Sequence, residues 1–548
     1  MSGAILILVA GVILLLGYFV YGSYIARKMG IDPSKPTPAH TMTDGVDYVP
    51  APAPVLMGHH FASIAGAAPI VGPITAAVFG WLPVTLWILA GGVFVGAVHD
   101  FTALVASVRH QGKSIGEVIG ENVGPGGRTL FLIFAWLTLC LVVAAFANIV
   151  AGTFASVPQA ASSSMMFMVL AIGFGFAIYR ANYGLVISTV VGVALLFGAV
   201  ALGYFLPLQL NVEQWKWVLL AYIFVASTAP VWILLQPRDY LNSFLLYISM
   251  VGACLGILIG APAITLPAYG GFEAASLGWL FPMLFVTVAC GAVSGFHALV
   301  ASGTTAKQLG NERDAKRIGY GAMLIESLLA MTAIIAAGSF AAPRFAELMK
   351  GGAFNVYANG IAQLLVPFGL PLMVGVTFFT LAASAFALTS LDTACRLGRY
   401  TLQELGQCEG FTAIPGLGNR WVSTGVTILF SAILLFSGQF ALIWPLFGSA
   451  NQLVAALALL AVAVWLANQK KGNLFVVVPM VFMLLVTLSA LALMFQQRMA
   501  QGNWMLAILS AILFVLAIVL AWMGYRVLSG AKKAPVASPV AGGSSEDE

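Results

Sequence analysis

The 548-residue chain reads as an all-α polytopic membrane protein of about 15 transmembrane helices, and three observations carry that reading. The composition is 61% hydrophobic and only 8% charged, whereas soluble domains carry roughly 25% charged residues. Apolar runs of the ~20 residues that cross a hydrocarbon core recur along the whole length. The basic residues fall singly or in pairs between those runs, so the net charge of +5 reflects topology and gives no sign of a nucleic-acid partner.

Taken in order, residues 1–26 form an extra N-terminal span. They lack the basic start, shorter apolar stretch and small-residue cleavage site of a signal peptide. A polar, Pro-rich stretch over 27–57 is a cytoplasmic loop. Segment 58–80, GHHFASIAGAAPIVGPITAAVFG, is long enough to cross but carries Gly66, Pro69, Gly72 and Pro73 in mid-crossing. Non-helical backbone at that depth survives only where it is buried in protein or lines a cavity. Discontinuous helices of this kind form midplane sites in secondary transporters.

Further spans lie at 81–106, 129–153, 163–179, 184–205, 217–236, 240–260, 279–305, 318–341 and 371–392. A loop over 393–420, four additional helices within 421–528 and a polar, disordered cytoplasmic tail over 529–548 complete the chain. The short run at 354–367 is a re-entrant or surface helix. The five cysteines show neither zinc spacing nor a disulfide framework.

Segment 221–235, AYIFVASTAPVWILL, reads as a second broken span, with Ser227, Thr228 and Pro230 at its middle. An odd number of crossings separates the two breaks. The expectation is therefore a five-plus-five inverted repeat, with residues 58–205 set against residues 217–392. With the N-terminus outside and the C-terminus cytoplasmic, only Lys216, Arg344, Lys350 and Arg498 of the 24 basic residues lie on the outer side. That segregation follows the positive-inside rule.

Several segments carry a family resemblance. These are GHHFASIAGAAPIVGPITAA, AVHDF at 97–101, LLQPRDYLNSF at 234–244, ACGAVSGFHALVASGTTAKQL at 289–309, IGYGAML at 318–324 and WPLFGSANQLVA at 444–455. Together they resemble the carbon starvation protein A family, over about residues 21–466. The resemblance implies a leucine-transporter-like core in the cytoplasmic (inner) membrane of a prokaryote. It also implies import of small nutrients under carbon starvation: short peptides, or pyruvate with protons in other members. The chain departs from familiar members in being shorter between spans 318–341 and 371–392 and near its C-terminus. It also has His99 where they usually carry Gln.

Ionisable residues inside spans are functional candidates by default. Asp100 and Glu326 each lie about eight residues from a helix end, roughly 12 Å inside at ~1.5 Å per residue. With His297 they are the candidate proton-coupling groups. Asp392 is read instead as the helical partner of Arg396, four residues on. His59, His60, His99, Arg238 and Asp239 are grouped as an inner gate. An interfacial anchor set and a transition-metal site from the three histidines and an aspartate are the competing readings.

The candidate substrate-binding set is Gly66, Ala67, Ala68, Gly72, Asn148, Ser227, Thr228, Ser294 and His297. Anionic substrate groups would sit at half-helix N-termini near 67–72 and 229–232. Ser294 is a candidate Na⁺ position, and no other cofactor or metal is expected beyond a coupling H⁺ or Na⁺. The expected partners are a small-molecule substrate and membrane lipid. With no paired nucleophile and base and no HExxH motif, an intramembrane enzyme is the remote alternative. A passive channel fits an inverted repeat poorly.

Overall fold

Backbone in hydrocarbon has no water to bond, so apolar runs of this length close their hydrogen bonds within helices. The computed structural model describes residues 1–530 apart from 182, 409, 410, 412, 413, 415 and 439. All but the first two residues of the tail read as disordered lie outside the described residues. Among those described, twelve helices are long and apolar enough to cross a membrane.

The chain opens with α1 (Gly3–Met29) and a helix in two halves, α2 (Ala53–Ile64) and α3 (Ala68–Ala76). Helices α4 (Trp81–Arg109) and α5 (Pro125–Ser156) follow, then a peripheral hairpin of α6 (Pro158–Tyr179) and α7 (Leu185–Phe205). Next come α8 (Val212–Thr228), α9 (Leu235–Gly260) and a second divided helix, α10 (Leu280–Thr287) and α11 (Gly295–Gly303). Helix α12 (Glu312–Gly338) leads to two short helices, α13 (Ala342–Met349) and α14 (Ala353–Leu365). The chain continues through α15 (Leu372–Leu405), α16 (Arg420–Phe436), α17 (Phe440–Asn468), α18 (Leu474–Ala500) and α19 (Trp504–Leu528). The most extensive helix–helix packing joins α5 to α15.

Three expected spans fall short of the twelve. Helices α8 and α16 have 17 residues each, and 279–305 is divided. The run expected at 354–367 is α14, which packs on α15.

Loop contacts sort the molecule into two ends. At one, Arg109 Nη2 donates to Gly30 O at 2.8 Å, Ala51 N to Gln308 O at 3.0 Å and Val231 N to Val46 O at 3.3 Å. At the other, Gly3 N donates to Pro262 O at 2.8 Å, Gly270 N to Phe79 O at 2.8 Å and Thr265 N to Gly338 O at 2.7 Å. The first divided helix therefore runs from the first end to the second, and the second divided helix runs back.

The first interruption falls at Ala65–Ala67, as its glycines and prolines suggest. The second is not in 221–235. Pro230 has no N–H and holds Ala229 extended (φ −68°, ψ 150°). It thereby ends α8 at the first end of the molecule, beside Val46. A 17-residue helix rises about 26 Å, enough to reach there without a further half. The true second break is the run from Val288 to Ser294, centred on Gly291, in the span expected to be continuous. Residues 217–236 and 240–260 likewise divide differently, because Leu235–Gly260 is one unbroken helix. No divided helix therefore lies at 217, where the expected second repeat would open. The divided helices that would open two repeats begin at Ala53 and Leu280.

Candidate functional site

The two interruptions face each other. A Cβ on Gly72 would stand 2.6 Å from Thr287 O at the end of α10, and one on Gly291 would lie 3.7 Å from the Pro69 Cα. A Cβ on Gly66 would collide with Ser390 Oγ of α15 and come within 2.9 Å of the Phe146 ring of α5. At Gly72 only glycine lets the two backbones approach so closely, and at Gly66 only glycine leaves room for the neighbouring side chains. Ala68, Ala289 and Cys290 form a small buried cluster with Trp444 of α17 against it. Ala67 and Ala68 open α3 inside this junction and are buried.

A chain of ionisable side chains runs from the junction. His99 Nδ1 lies 2.7 Å from Asp100 Oδ1, and Asp100 Oδ2 lies 2.8 Å from His297 Nδ1. His297 Nε2 is 3.3 Å from Glu326 Oε2, at an angle outside hydrogen-bonding geometry. All four side chains are fully buried. Three helices supply them: α4, α11 and α12. Next to them Ser294, at the start of α11, accepts from Asn451 Nδ2 at 3.0 Å, while Asn451 Oδ1 takes the Phe296 N–H at 2.8 Å. Asn451 thus caps the second half-helix from α17.

A second polar layer lies about one helical turn away along α2. His59 Nδ1 is 2.8 Å from Asp239 Oδ2, and Asp239 Oδ1 accepts from Arg238 Nη2 at 2.6 Å. Arg238 also holds both oxygens of Asp392, through Nη1 and through Nη2 at 3.0 Å. The Tyr222 hydroxyl donates to Asp392 Oδ2 at 2.6 Å. Arg238, Asp239 and Asp392 are all buried. His60, on the opposite flank of α2, meets Thr305 Oγ1 at 2.8 Å.

Beyond this layer, residues 44–51 form a strap across the end. Asp44 Oδ1 accepts the N–H groups of Val46, Asp47 and Tyr48 at 2.8–2.9 Å. That turn holds Asp47 toward Arg396 at 3.3 Å, Arg399 at 3.6 Å and the Tyr400 hydroxyl. Burial acts to raise the Asp47 pKa, but Arg396, Arg399, Lys307 and the Tyr400 bond outweigh it and leave the carboxyl below its ordinary range.

The structure brings Asp100, His297 and Glu326 side by side, and His59, Arg238 and Asp239 join in one layer. His99 does not belong to that layer, because its ring bonds Asp100 next to it. The three histidines and Asp100 do not converge as a metal site, since His59, His60 and His99 each turn to a different partner. Asp392 does not pair with Arg396, whose Nη2 instead donates to Ala226 O at 2.7 Å. Arg238 meets the Asp392 carboxylate with both Nη groups, the bidentate arrangement that makes such pairs strong.

Ser227 and Thr228 lie outside the junction. Ser227 Oγ is 3.3 Å from Thr424 Oγ1 of α16, and Thr228 Oγ1 donates back to Phe224 O at 2.9 Å. Asn148 is half-buried two residues past Phe146 and stands outside the bonded cluster. Sequence reasoning missed Asn451 as a site residue, although it lies in WPLFGSANQLVA, and it missed Cys290, Tyr222 and Asp47.

The sequence matches the family described as Carbon starvation protein CstA over residues 2–351 and 346–490. It is 35% identical over 567 residues to the peptide transporter CstA of Escherichia coli (strain K12), covering 89% of this chain and 80% of that one. It is also 35% identical over 586 residues to the pyruvate/proton symporter BtsT of the same organism, covering 89% and 81%. Identity to the peptide transporter CstA of Bacillus subtilis (strain 168) is 32% over 537 residues, covering 88% and 89%. Among solved structures, a manganese transporter of Eremococcus coleocola aligns with a TM-score of 0.51 at 13% identity, over 90% of this chain and 99% of that one. That likeness is one of fold.

Proposed function

The chain belongs to the carbon starvation protein CstA family and is a transporter, and on that premise we propose that it imports small carboxylate-bearing nutrients with protons by alternating access. Short peptides are the substrates favoured, with pyruvate the alternative. The observation that carries the reading is the junction of two facing helix interruptions beside a fully buried chain of acids and imidazoles. Half-helix N-termini present N–H groups that no helical carbonyl takes. The Ala68 end of α3 therefore suits a substrate carboxylate. Asp100, His297 and Glu326 are the groups that would take up the coupling proton, since a buried carboxylate–imidazole chain exchanges protons without exposing charge to lipid. Sodium coupling at Ser294 is the competing reading.

The two opposed divided helices support an inverted repeat opening at Ala53 and at Leu280, with the α6–α7 hairpin as an insertion in the first half. The His59–Asp239–Arg238–Asp392 layer and the strap would then be the inner closure. We place the protein in the inner membrane with the N-terminus outside. A reporter after Lys471 should read cytoplasmic and one within 342–370 external; a cytoplasmic signal from 342–370 overturns the orientation. The deciding test of function is uptake by reconstituted protein of labelled dipeptides and pyruvate under imposed H⁺ or Na⁺ gradients. Uphill uptake driven by the pH gradient supports the proposal, and dependence on Na⁺ alone refutes its proton part.

A further inference from the structure

Beside the interruption of the second divided helix, three side chains with metal-ligating atoms converge. Cys290 Sγ, His297 Nε2 and a Glu326 carboxylate oxygen lie within 4.8 Å of one another, and all three residues are buried. Among the described residues, His297 Nε2 and both oxygens of Glu326 have no partner in hydrogen-bonding geometry, though the Ile64 backbone lies close enough to act on the imidazole. Buried polar atoms left without a partner are costly, so a ligand that takes them is favoured there. The imidazole is not free to turn away, because Asp100 Oδ2 holds its Nδ1 at 2.8 Å and leaves Nε2 aimed into the cluster.

We propose that Cys290, His297 and Glu326 form a binding site for a divalent transition-metal ion of the zinc class, with Asp100 orienting the imidazole. A carboxylate behind a metal-bound histidine is the usual outer partner of such ligands. One sulfur, one nitrogen and one carboxylate oxygen suit zinc, whereas magnesium and calcium take oxygen-rich shells of six or more. Ligand atoms around a tetrahedral zinc lie roughly 3.3–3.7 Å apart. The cluster therefore needs to contract by about an ångström, within reach of side-chain rotation. On binding, the Cys290 thiol releases its proton to solvent, and the dication balances the thiolate and the Glu326 carboxylate. The result is a neutral unit in a low-dielectric interior.

Around the sulfur, the thiol donates to Ser294 Oγ at 3.3 Å and accepts from Asn451 Nδ2 at 3.8 Å. This ligand set is distinct from His59 and His60, and because it shares His297 and Glu326 with the proposed proton-coupling groups, a bound ion would leave Asp100 alone of the three to take up a proton. Its occupation would tie the interruption of the second divided helix to α12.

The experiment uses purified full-length protein, tag removed and stripped with chelator, titrated with Zn²⁺ by equilibrium dialysis and with Co²⁺ by absorbance. One ion per chain is expected, with a thiolate-to-cobalt charge-transfer band that Cys290→Ser abolishes. Glu326→Gln should weaken Zn²⁺ binding at least about 100-fold and Asp100→Asn about 10–100-fold, while Cys254→Ser binds as the parent does. Unaltered affinity in both Cys290→Ser and Glu326→Gln, binding without the charge-transfer band, or no stoichiometric binding overturns the proposal. Each variant is compared at matched size-exclusion profile. The readout needs neither gradient nor substrate, so its failure leaves the transport reading intact and a failed uptake assay leaves this site standing.

Discussion

Removing the cation from the inner polar layer should be far more damaging than removing one of its carboxylates. Arg238 is enclosed by Asp239 and Asp392, each within hydrogen-bonding distance, and all three side chains are buried. Arg238→Gln leaves two buried carboxylates facing each other with no guanidinium between them, a change of the kind that destabilises by about 3–5 kcal/mol. Asp392→Asn leaves a balanced Arg238–Asp239 pair and forfeits charge-assisted hydrogen bonds, about 1.5–3 kcal/mol. The double variant Arg238→Gln/Asp392→Asn retains a single carboxylate next to His59. It should therefore be more stable than the sum of the single changes implies, by about 1–3 kcal/mol. The assay is reversible unfolding of the purified protein in mixed micelles, read as a double-mutant cycle. Additivity within about 0.5 kcal/mol, or an Asp392→Asn loss equal to that of Arg238→Gln, would refute the assignment of this layer as one charge-coupled unit.

Gly66→Leu and Gly72→Leu should abolish uptake while leaving insertion largely intact, because their Cβ atoms meet α15 and the end of α10. Gly11→Leu, which meets open space, should be mild; equal losses at all three, by labelled-substrate uptake, would reduce the junction to general packing. Asp100→Asn should lose pH-driven accumulation with less effect on substrate binding, and wild-type uphill uptake would exclude it as the essential proton carrier. Asp47→Asn should open the inner face, read as faster alkylation of a cysteine placed at Ala51, and an unchanged rate would show the strap to be passive. Asp47 sits below its ordinary range. Its tie is therefore fully present above the usual carboxylate value of ~3.9 and is lost only as pH falls through the lower folded value. Between pH 5 and 8 the contribution of Asp47 itself should therefore be constant, and a pH-dependent alkylation rate there that Asp47→Asn abolishes contradicts this.

The first interruption was legible because Gly66, Pro69, Gly72 and Pro73 announce it in residue types that helices tolerate poorly. The second was not, because residues 288–294 contain no proline and their glycine and alanines are ordinary in membrane helices. Pro230 misled for the converse reason: a proline ends a helix at the membrane boundary as readily as it divides one at mid-depth, and sequence alone does not give depth. Asp100, His297 and Glu326 stood out as ionisable groups in apolar runs. That they meet depends on how α4, α11 and α12 cross, which no local spacing encodes. Asp392 was assigned by helical spacing to Arg396, and the interhelical partner lies 154 positions away in sequence. Asn451 was visible in its motif, but nothing local marks an asparagine that caps a half-helix belonging to another span.

The adjacent histidines of α2 give this short segment an unusual mechanical character. His59 is tied on one flank to Asp239 and His60 on the other to Thr305, so a rotation that relieves one tether strains the other. Any movement of α2 that carries both rings away from their present partners has to break the two contacts together, so in the transport cycle proposed above they would yield as one step.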